Sequence, residues 1–378
     1  STDAGRTWTK LGADLPERTL LWRIVQDHVN PQLLFLGTEF GVYFTVNGGQ
    51  QWHALKGGLP TISFRDLAIQ RRENDLVGAS FGRGLFVLDD YTALRSVNET
   101  QLATAASLFT PRDAWWYIPR SHLGFDEPKG DQGAGHFTAE NPDFGAVFTY
   151  YLKDGFKTPK AERLAAEKEA TTNTFPGWDV LEAEALAKEA KVLLRVRNQA
   201  GKVIREVEGP TTAGFHRVAW DLRHASPGAV AGEGFEMPGR LASPGTYTVE
   251  LVQQVDGVLT SLSYQTPFEV KPLREGALPG ASREEVAAFW EEYEATFGAY
   301  TVLAAQMSRA KDYAERLVMG MKNTPGATPE MRLTLTELAK GLYRMDSGLN
   351  GQPEKLQVGE KNNPVVFDRI ASDKQPQA

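Results

Sequence analysis

The sequence contains no cysteine among its 378 residues, so disulfides and thiolate metal sites are excluded. It also lacks an apolar run of the roughly 20 residues that a membrane-spanning helix needs, and its first residues show no signal-peptide pattern. Basic residues are not in excess, because 41 lysines and arginines face 48 aspartates and glutamates, for a net charge of -7. Since there is also no long basic run, the sequence argues against nucleic acid or an anionic membrane as the main partner.

The residue patterns of common catalytic sites are missing as well. The six histidines are scattered, without the H-x-x-x-H or H-E-x-x-H spacing that binds zinc. There is no G-x-S-x-G nucleophile elbow, and FGRGLF at residues 81–86 lacks the spacing and the Lys-Ser/Thr of a phosphate-binding loop. The sequence therefore predicts neither a metal site nor a cofactor.

What the sequence does contain is an ordinary globular composition and a repeat. With 41% hydrophobic and 24% charged residues, the length favours two or three domains. STDAGRTW at residues 1–8 recurs in a looser form as TVNGGQQW at residues 45–52. Because the chain begins inside this motif, we expect any leader to lie upstream of it.

Each residue type of the repeat has a mechanical role. The short polar side chains can hydrogen-bond backbone groups in a tight turn, the glycine supplies a positive φ, and the tryptophan can bury its ring beneath a hairpin. The residues that carry the pattern are Ser1, Asp3, Gly5 and Trp8 in the first copy and Thr45, Asn47, Gly49 and Trp52 in the second. We predict that Trp8 and Trp52, 44 residues apart, are equivalent core anchors of neighbouring units.

A second pair of segments repeats at a similar distance. LGTEFGVYF at 36–44 and VGASFGRGLF at 77–86 align Gly37 with Gly78, 41 residues apart. A period in the forties with short alternating strands is typical of β-propeller blades. The turns resemble the Asp-box, or bacterial neuraminidase repeat, of sialidase-like and sortilin-like propellers. The longer run from GTEFGVYFTVNGGQQW through GFHRVAWDLR to SPGTYTVEL is similar to the C-terminal part of a family of secreted bacterial glycosyl-hydrolase-like repeat proteins.

The resemblance implies a periplasmic or secreted protein whose Asp-boxes lie on peripheral hairpins. Residues 1–95 hold about two blades, whereas closed propellers have about four to eight. An incomplete propeller leaves apolar faces and strand edges unpaired. We therefore expect a protein partner or missing upstream blades to cover residues 1–60, where the apolar residues exceed what two open blades cover: Leu20, Leu21, Trp22, Leu33, Leu34 and Phe35.

The residues after the blades predict a connector and then a β-sandwich. Residues 96–140 read as an aromatic and glycine-rich connector, in which Trp115, Trp116 and Tyr117 either bind a partner or, as we favour, cover a seam between domains. Strands with period-two alternation predict an Ig-like or fibronectin-like β-sandwich over 141–273, with a helical insertion near 158–190.

From Ser282 the apolar period changes to that of a helix. Ser282 and Glu285 form a capping box, and Thr328 followed by Pro329 begins a second amphipathic stripe. We predict an antiparallel helical hairpin over 282–350 and an extended tail over 351–378. The predicted fold class is mainly β with a helical C-terminal part, comprising partial propeller blades, a β-sandwich and the hairpin.

The resemblance also raises glycoside hydrolysis, which needs two carboxylates that flank the sugar. The acids of the blades to consider are Glu39, Asp66, Asp89 and Asp90. Glu39 lies in a strand-like GTEFG run that could face a central channel, whereas Asp89 and Asp90 follow a strand and could equally cap a turn. A structural role is favoured for all four, because a sialidase-like site draws an Arg cluster and a Tyr nucleophile from several blades.

Three functions are consistent with the sequence. The first is a non-catalytic protein-binding or scaffolding segment of an exported bacterial propeller protein, such as a subunit of a larger periplasmic assembly. The second is the C-terminal part of a carbohydrate-active glycoside hydrolase whose catalytic blades lie outside this chain, which would make carbohydrate the ligand. The third is a sortilin-like peptide receptor, although the Cys-rich module of those receptors has no counterpart in a cysteine-free chain.

Overall fold

The protein forms two compact units in a computed structural model that describes residues 1, 3–12, 14–119, 139, 141–170, 175–230, 238–274 and 280–360. The first unit comprises Ser1–Leu222 and Pro244–Glu275 and consists mainly of β-sheets. The second comprises Arg223–Ser243 and Gly276–Ala378 and is mainly helical. Residues 223–243, which lie inside the range predicted for the sandwich, therefore belong to the second unit.

Two antiparallel meanders begin the first unit. The first sheet has the order β1 (Leu21–Gln26), β2 (Leu34–Thr38), β3 (Gly41–Thr45) and β4 (His53–Ala54). The second has the order β5 (Phe64–Gln70), β6 (Asp75–Ser80) and β7 (Leu85–Leu88). A meander of three or four strands is the unit of a propeller blade, so these sheets agree with the predicted pair of blades.

The two sheets share one core. Phe64 of β5 is fully buried and packs with residues of the first sheet, among them Phe35 and Val42. A Cβ on Gly37 would lie 2.7 Å from the Phe64 carbonyl oxygen, and one on Gly78 would lie 2.9 Å from the Phe64 ring. The two glycines that align in the sequence repeat are thus needed because both strands approach the same phenylalanine.

The first sheet is covered on both faces. Its other side buries Leu34 and Leu36 beneath Trp52, with Leu15 packed alongside. The expectation that the apolar run at 33–35 needs an outside partner is therefore wrong. Alternate residues of this run point to opposite faces of the sheet, and one face is covered by the second sheet and the other by Trp52. Leu20, Leu21 and Trp22 remain 53%, 52% and 39% exposed.

A β-sandwich completes the first unit. One sheet has the order β13 (Gly214–Trp220), β10 (Ala146–Leu152) and β8 (Ala106–Leu108). The other has the order β12 (Val203–Gly209), β11 (Lys191–Arg197), β14 (Gly245–Val255), β16 (Thr266–Pro272) and β9 (Ala114–Trp116), with β15 (Val258–Ser261) paired to β14. Aromatic rings join the sheets, since Phe148 meets Phe268 at 5.4 Å and Trp220 meets Tyr247 at 5.5 Å between centroids.

Short helices connect these sheets. A 3-10 turn at Thr92–Arg95 and α1 (Glu99–Ala103) follow the blades. The insertion between β10 and β11 contains α2 (Pro159–Glu169) and α3 (Trp178–Leu186), which Arg163 joins by two hydrogen bonds to Glu184. Part of the predicted connector, residues 120–138 and 140, lies outside the described residues.

The second unit is built on two helices. Ser282 and Glu285 form the capping box at the start of α4 (Arg283–Gly320), and Thr328 caps α5 (Pro329–Asn350), which begins at a proline. Lys311 of α4 contacts Asp346 of α5 at 2.6 Å, so the two helices form a hairpin. α6 (Pro353–Gln357) begins the segment that was predicted to be extended, and residues 361–378 lie outside the described residues.

The predicted fold class is confirmed: the protein is mainly β, with partial propeller blades, a sandwich and a helical C-terminal hairpin. Among the residues that the structure describes, no helix has both the length and the apolar character that a bilayer crossing requires.

Candidate functional site

The first copy of the repeat is a turn held by its own side chains. The Ser1 hydroxyl accepts a hydrogen bond from the Gly5 amide at 2.7 Å and donates one to Asp3 Oδ1 at 2.9 Å. The Asp3 carboxylate accepts from both the amide and the hydroxyl of Thr7, at 2.9 and 2.8 Å. These hydrogen bonds, with that from Ser1, lower the pKa of Asp3 to about 2.

The second copy has the same hydrogen-bond pattern. The Thr45 hydroxyl accepts from the Gly49 amide at 3.1 Å and donates to Asn47 Oδ1 at 2.8 Å. Asn47 Oδ1 in turn accepts from the Gln51 amide at 3.0 Å. The two segments are therefore structural equivalents, although one uses a carboxylate where the other uses an amide.

The two tryptophans of these turns differ in burial. Trp52 is 8% exposed and covers Leu34 and Leu36. Trp8 is 81% exposed and donates its Nε1–H to the Gly5 carbonyl at 3.1 Å. The prediction that both are core anchors is wrong for Trp8, because its turn lies among residues 4–11, which are all exposed and belong to no described strand.

Replacing Trp52 by alanine should lower the free energy of unfolding by about 3–5 kcal/mol, because the lost ring leaves a cavity over the first sheet. The same substitution at Trp8 is the matched control, and it should change stability by less than about 0.5 kcal/mol. Denaturant melts of the two variants measure the difference. Equal losses would show that Trp52 is not an anchor.

The four acids considered for catalysis do not converge. Glu39 lies in the turn between β2 and β3, not in a strand, and Asp66 of β5 pairs with Arg23 Nε at 3.3 Å. Asp66 is level with Leu85 through Ala79, and Asp89 lies four residues beyond Leu85. At about 3.3 Å per residue, Asp66 is therefore about 13 Å along the sheet from Asp89.

Asp89 and Asp90 have different environments. Asp90 has φ 42° and lies two residues before the first residue of the 3-10 turn, Thr92, whose amide and hydroxyl donate to its Oδ1 at 3.2 and 2.6 Å. Burial, aided by the negative charge of Asp75, raises the pKa of Asp89. The turn-capping interpretation of Asp90 thus matches its hydrogen bonds to Thr92, and Asp66, about 13 Å along the sheet from Asp89, is too far away to be its catalytic partner.

Trp115 lies at the seam between the second sheet and the sandwich. Its Nε1–H points to the two carboxylate oxygens of Glu73 at 3.3 and 3.2 Å, and Arg112 Nη1 contacts the same carboxylate at 2.9 Å. Trp116 pairs with Pro272 of β16, and Tyr117 packs on Phe144 at 4.8 Å between centroids. The placement of Trp115 agrees with the seam interpretation, while partner binding by these three aromatics stays a prediction.

A cleft of about 340 Å³ opens beside this seam. Its lining includes Asp75, Asp89 and Asp143 together with Arg72 and Arg112. Among the described residues, no group of three His, Asp or Glu side chains is arranged to hold a metal ion. The cleft is therefore a mixed-charge surface rather than a pair of opposed carboxylates.

An arginine stacked between two aromatic rings lies at the other end of the blade sheets, and we call it the arginine–aromatic cluster. The Arg65 guanidinium is 4.0 Å from the centroid of the Trp22 ring and 5.1 Å from that of Phe81. Phe81 is 68% exposed, and no carboxylate within the described chain pairs with Arg65. Sequence reasoning named Trp22 but missed Arg65 and Phe81, since no spacing rule links positions on three different elements.

The cluster borders an open strand. β1 is the edge strand of its sheet, and five of its six residues are exposed. Among them, Leu21 and Ile24 are each 52% exposed. An edge strand presents unpaired backbone donors and acceptors to a second chain, so apolar side chains, a cation and a free strand edge occur together here.

The opposite end of the blade sheets is held by a buried ion pair. Asp27 has a fully buried side chain and accepts hydrogen bonds from Arg95 Nε and Nη2 at 2.9 and 2.8 Å and from the Tyr91 hydroxyl at 2.7 Å. Burial opposes ionisation of Asp27, yet the hydrogen bonds from Arg95, Asn30 and Tyr91 hold its pKa well below the ordinary value. Burial and the neighbouring Asp27 raise the pKa of Tyr91.

No protein-family model and no curated protein matches the chain. Among solved structures, the chain is similar to the extracellular domain of a candidate one-component system from B. thetaiotaomicron, with 10% identity and a TM-score of 0.17. That match covers 67% of this chain and 25% of the other. A second crystal structure, described as the extracellular domain of a hybrid two-component system from the same organism, matches with 9% identity and a TM-score of 0.15, over 68% and 26% of the two chains. The chain thus spans about a quarter of these structures, and scores this low support no conclusion about function.

Proposed function

We propose that the chain is a non-catalytic protein-binding segment of an exported bacterial propeller protein, and that it docks through β1 and the arginine–aromatic cluster. The observation that carries the proposal is the stacking of Arg65 between Trp22 and Phe81 on an exposed surface. Tryptophan and arginine are the residue types that dominate interface energetics. The stacking also holds Arg65 in place before binding, which reduces the entropy that the interface must overcome.

The partner of this surface is a protein that contributes a β-strand. The free edge of β1 can extend its sheet by pairing with a strand from upstream blades or from another subunit. The exposed side chains of Leu21 and Ile24 favour an apolar partner face, and the uncompensated charge of Arg65 favours a carboxylate beside it. Such a surface fits a scaffolding role in a periplasmic or secreted assembly.

The hydrolase alternative has less support. It requires catalytic carboxylates from blades outside this chain, because Glu39 lies in a turn and Asp66 pairs with Arg23. Turnover of sialyl, xyloglucan or aryl-glycoside substrates that is abolished by Glu39→Gln would favour the hydrolase over the binding segment. The sortilin-like receptor shares the docking surface proposed here and differs in taking a peptide as its ligand.

Hydrogen exchange tests the docking surface. Amides of β1 that point away from β2 should exchange at least about tenfold more slowly in the native assembly than in the isolated chain, because a partner strand would bond them. Amides of β2 and β3 should be protected in both preparations, since they lie inside the sheet. β12 is the matched control, because it is also an edge strand and lies outside the proposed interface.

Substitutions separate docking from stability. Arg65→Ala and Phe81→Ala should each weaken assembly, whereas Tyr264→Ala, at a side chain that is 94% exposed in the sandwich, should leave it unchanged. Equal exchange of the β1 amides in both preparations would contradict the proposal. Unchanged assembly by the Arg65 and Phe81 variants would contradict it independently.

A further inference from the structure

The helical hairpin leaves a large apolar face uncovered. In α4 and α5 together only four side chains are buried: Tyr293, Met307, Ala314 and Leu335. Many apolar side chains of the hairpin are exposed, and six of them, between 39% and 66% exposed, are Leu303, Tyr313, Leu317, Met331, Leu338 and Met345. A two-helix hairpin buries one stripe of each helix, so these six residues form a second stripe.

The spacing of the residues places this second stripe on one side of the hairpin. Leu303 and Leu317 are 14 residues apart, and Met331, Leu338 and Met345 follow one another every seven residues, so each set lies along one face of its helix. At 100° per residue, the set lies about 40–120° before the buried Met307 in α4 and about 40–80° before the buried Leu335 in α5. Because the helices are antiparallel, offsets in the same direction point to the same side. We call this surface the hairpin face.

The hairpin face is large enough for an interface. The face of α4 that carries Leu303 and Leu317 holds no charged residue from Ala295 onward, since its other positions are Ala299, Gln306, Ala310 and Tyr313. From Ala295 to Leu317 this stripe is about 33 Å long at 1.5 Å per residue. Two neighbouring helices are about 20 Å wide. The face therefore offers about 600 Å² per copy, close to the roughly 800 Å² per partner of a standard interface.

We propose that the hairpin face binds the hairpin face of a second copy of this chain. The two copies form a four-helix bundle around a two-fold axis parallel to the helices, with α4 of one copy on α5 of the other. Two amphipathic hairpins that share a core in this way match the architecture of antiparallel four-helix bundles. The proposal is independent of the docking surface on the blades.

Side-chain size along the two helices supports this pairing. The contact of Lys311 with Asp346, and that of Arg332 Nη2 with the Met321 carbonyl at 3.1 Å, set which residues of α4 and α5 are level. By these two contacts Tyr313 is level with residues 340–344 of α5, a stretch that includes Gly341. The α5 face carries small residues at Gly341 and Gly348, where a Cβ would meet nothing within 4 Å. The large Tyr313 of one copy therefore lies opposite open space on the other.

Charge supports the same pairing. The same two contacts between α4 and α5 place Arg316 of α4 at about the same height along the hairpin as Glu337 of α5. Arg316 has no ion-pair partner among the described residues, and Glu337 is exposed, with Lys340 at 2.9 Å and the charge of Arg344 also acting on it. In the bundle, Arg316 of each copy meets Glu337 of the other at the rim of the face. The two-fold axis makes this pair occur twice, as an isologous interface requires.

The oligomeric state of the full chain tests the proposal. Sedimentation equilibrium should give twice the monomer mass, and Leu338→Lys should weaken the dimer at least about 100-fold, because the buried cation occurs on both copies. Leu333→Lys is the matched control, since Leu333 is 65% exposed on the opposite side of α5, and it should leave the dimer unchanged. Circular dichroism of each variant establishes that the helices remain folded.

Charge reversal tests the pairing of α4 with α5 of the second copy. Arg316→Glu and Glu337→Arg should each weaken the dimer up to about tenfold, and the double variant should recover to within about threefold of the original chain. A monomer at all concentrations would overturn the proposal, as would a dimer that Leu338→Lys leaves intact. A monomer that dimerises only after removal of residues 361–378 would also overturn it, since the chain itself would then cover the face.

Discussion

Replacing Arg95 by alanine is expected to lower the free energy of unfolding by about 3–5 kcal/mol, because it leaves the charge of Asp27 buried without its partner. The Asp27 side chain is fully buried and receives two hydrogen bonds from Arg95. Arg95 Nη2 also donates to Asn74 at 2.6 Å, so the guanidinium joins the end of β1 to the turn between β5 and β6. Urea or guanidinium melts of the variant measure the loss.

Arg72→Ala is the matched control for this prediction. Arg72 contacts Glu73 at 2.8 Å, but its side chain is 77% exposed, and exposed ion pairs contribute about 0–1 kcal/mol. If Arg72→Ala and Arg95→Ala cost the same, the buried pair does not stabilise the blades in the way proposed here.

The same cluster predicts how stability depends on acid. The folded pKa of Asp27 lies below its unfolded value of about 3.9, so its contribution is fully present above that pH. The contribution is lost as the pH falls through the folded pKa, because the unfolded chain then binds the proton first. In Arg95→Ala the free energy of unfolding should therefore depend less on pH in this range. Denaturant melts of the variant and the original chain between about pH 5 and pH 2 measure the difference.

Gly145→Ala is expected to cost on the order of 4 kcal/mol or more, the range of severe core disruptions. Gly145 has φ 113°, and a Cβ there would lie 1.9 Å from the Trp220 carbonyl oxygen. Gly145 immediately precedes β10, whose first residue, Ala146, pairs with Trp220. The methyl group would therefore push apart β10, the central strand of this sandwich sheet, and β13 at its edge.

Gly214→Ala separates the clash from the backbone strain. Gly214 has φ 116°, nearly the same as Gly145, and lies at the other end of the same strand pair opposite Leu152. A Cβ there would meet nothing within 4 Å, so only the positive φ is penalised, by about 1–2 kcal/mol. Equal losses in the two variants would mean that the clash at Gly145 is relieved at no cost.

The local signals in the sequence predicted most of the fold. The capping box of Ser282 and Glu285 marks the first turn of α4, and Asp256-Gly257 turns the chain with φ 48° and 82° between β14 and β15. Such features depend on residues within a few positions of one another, which makes them legible without tertiary structure. The burial of individual side chains was harder to predict from the sequence. Trp8 and Trp52 end two similar sequence motifs, and the sheet beneath Trp52 distinguishes them.

The candidate site was less predictable for the same reason. Asp27 and Arg95 are 68 residues apart, and Trp22, Arg65 and Phe81 belong to three separate segments. None of these pairings leaves a periodic pattern in the sequence, since each depends on how two sheets come together. Glu39 shows the opposite error, because the GTEFG run has the composition of a strand and yet its centre is a hairpin turn.

The division of the chain into units restricts how the protein can be cut. The described parts of the segment 223–243, residues 223–230 and 238–243, leave the sandwich between β13 and β14 and contact α4. The Arg240 amide donates to Glu294 at 3.0 Å and the Ala229 amide donates to the Thr301 hydroxyl at 3.0 Å. Truncation at residue 275 would therefore not release an intact β fragment, because the fragment would keep residues 223–243 and lose α4, which they contact. Limited proteolysis within 223–243 should, for the same reason, leave two pieces that stay associated through the β11–β14 and β9–β16 ladders.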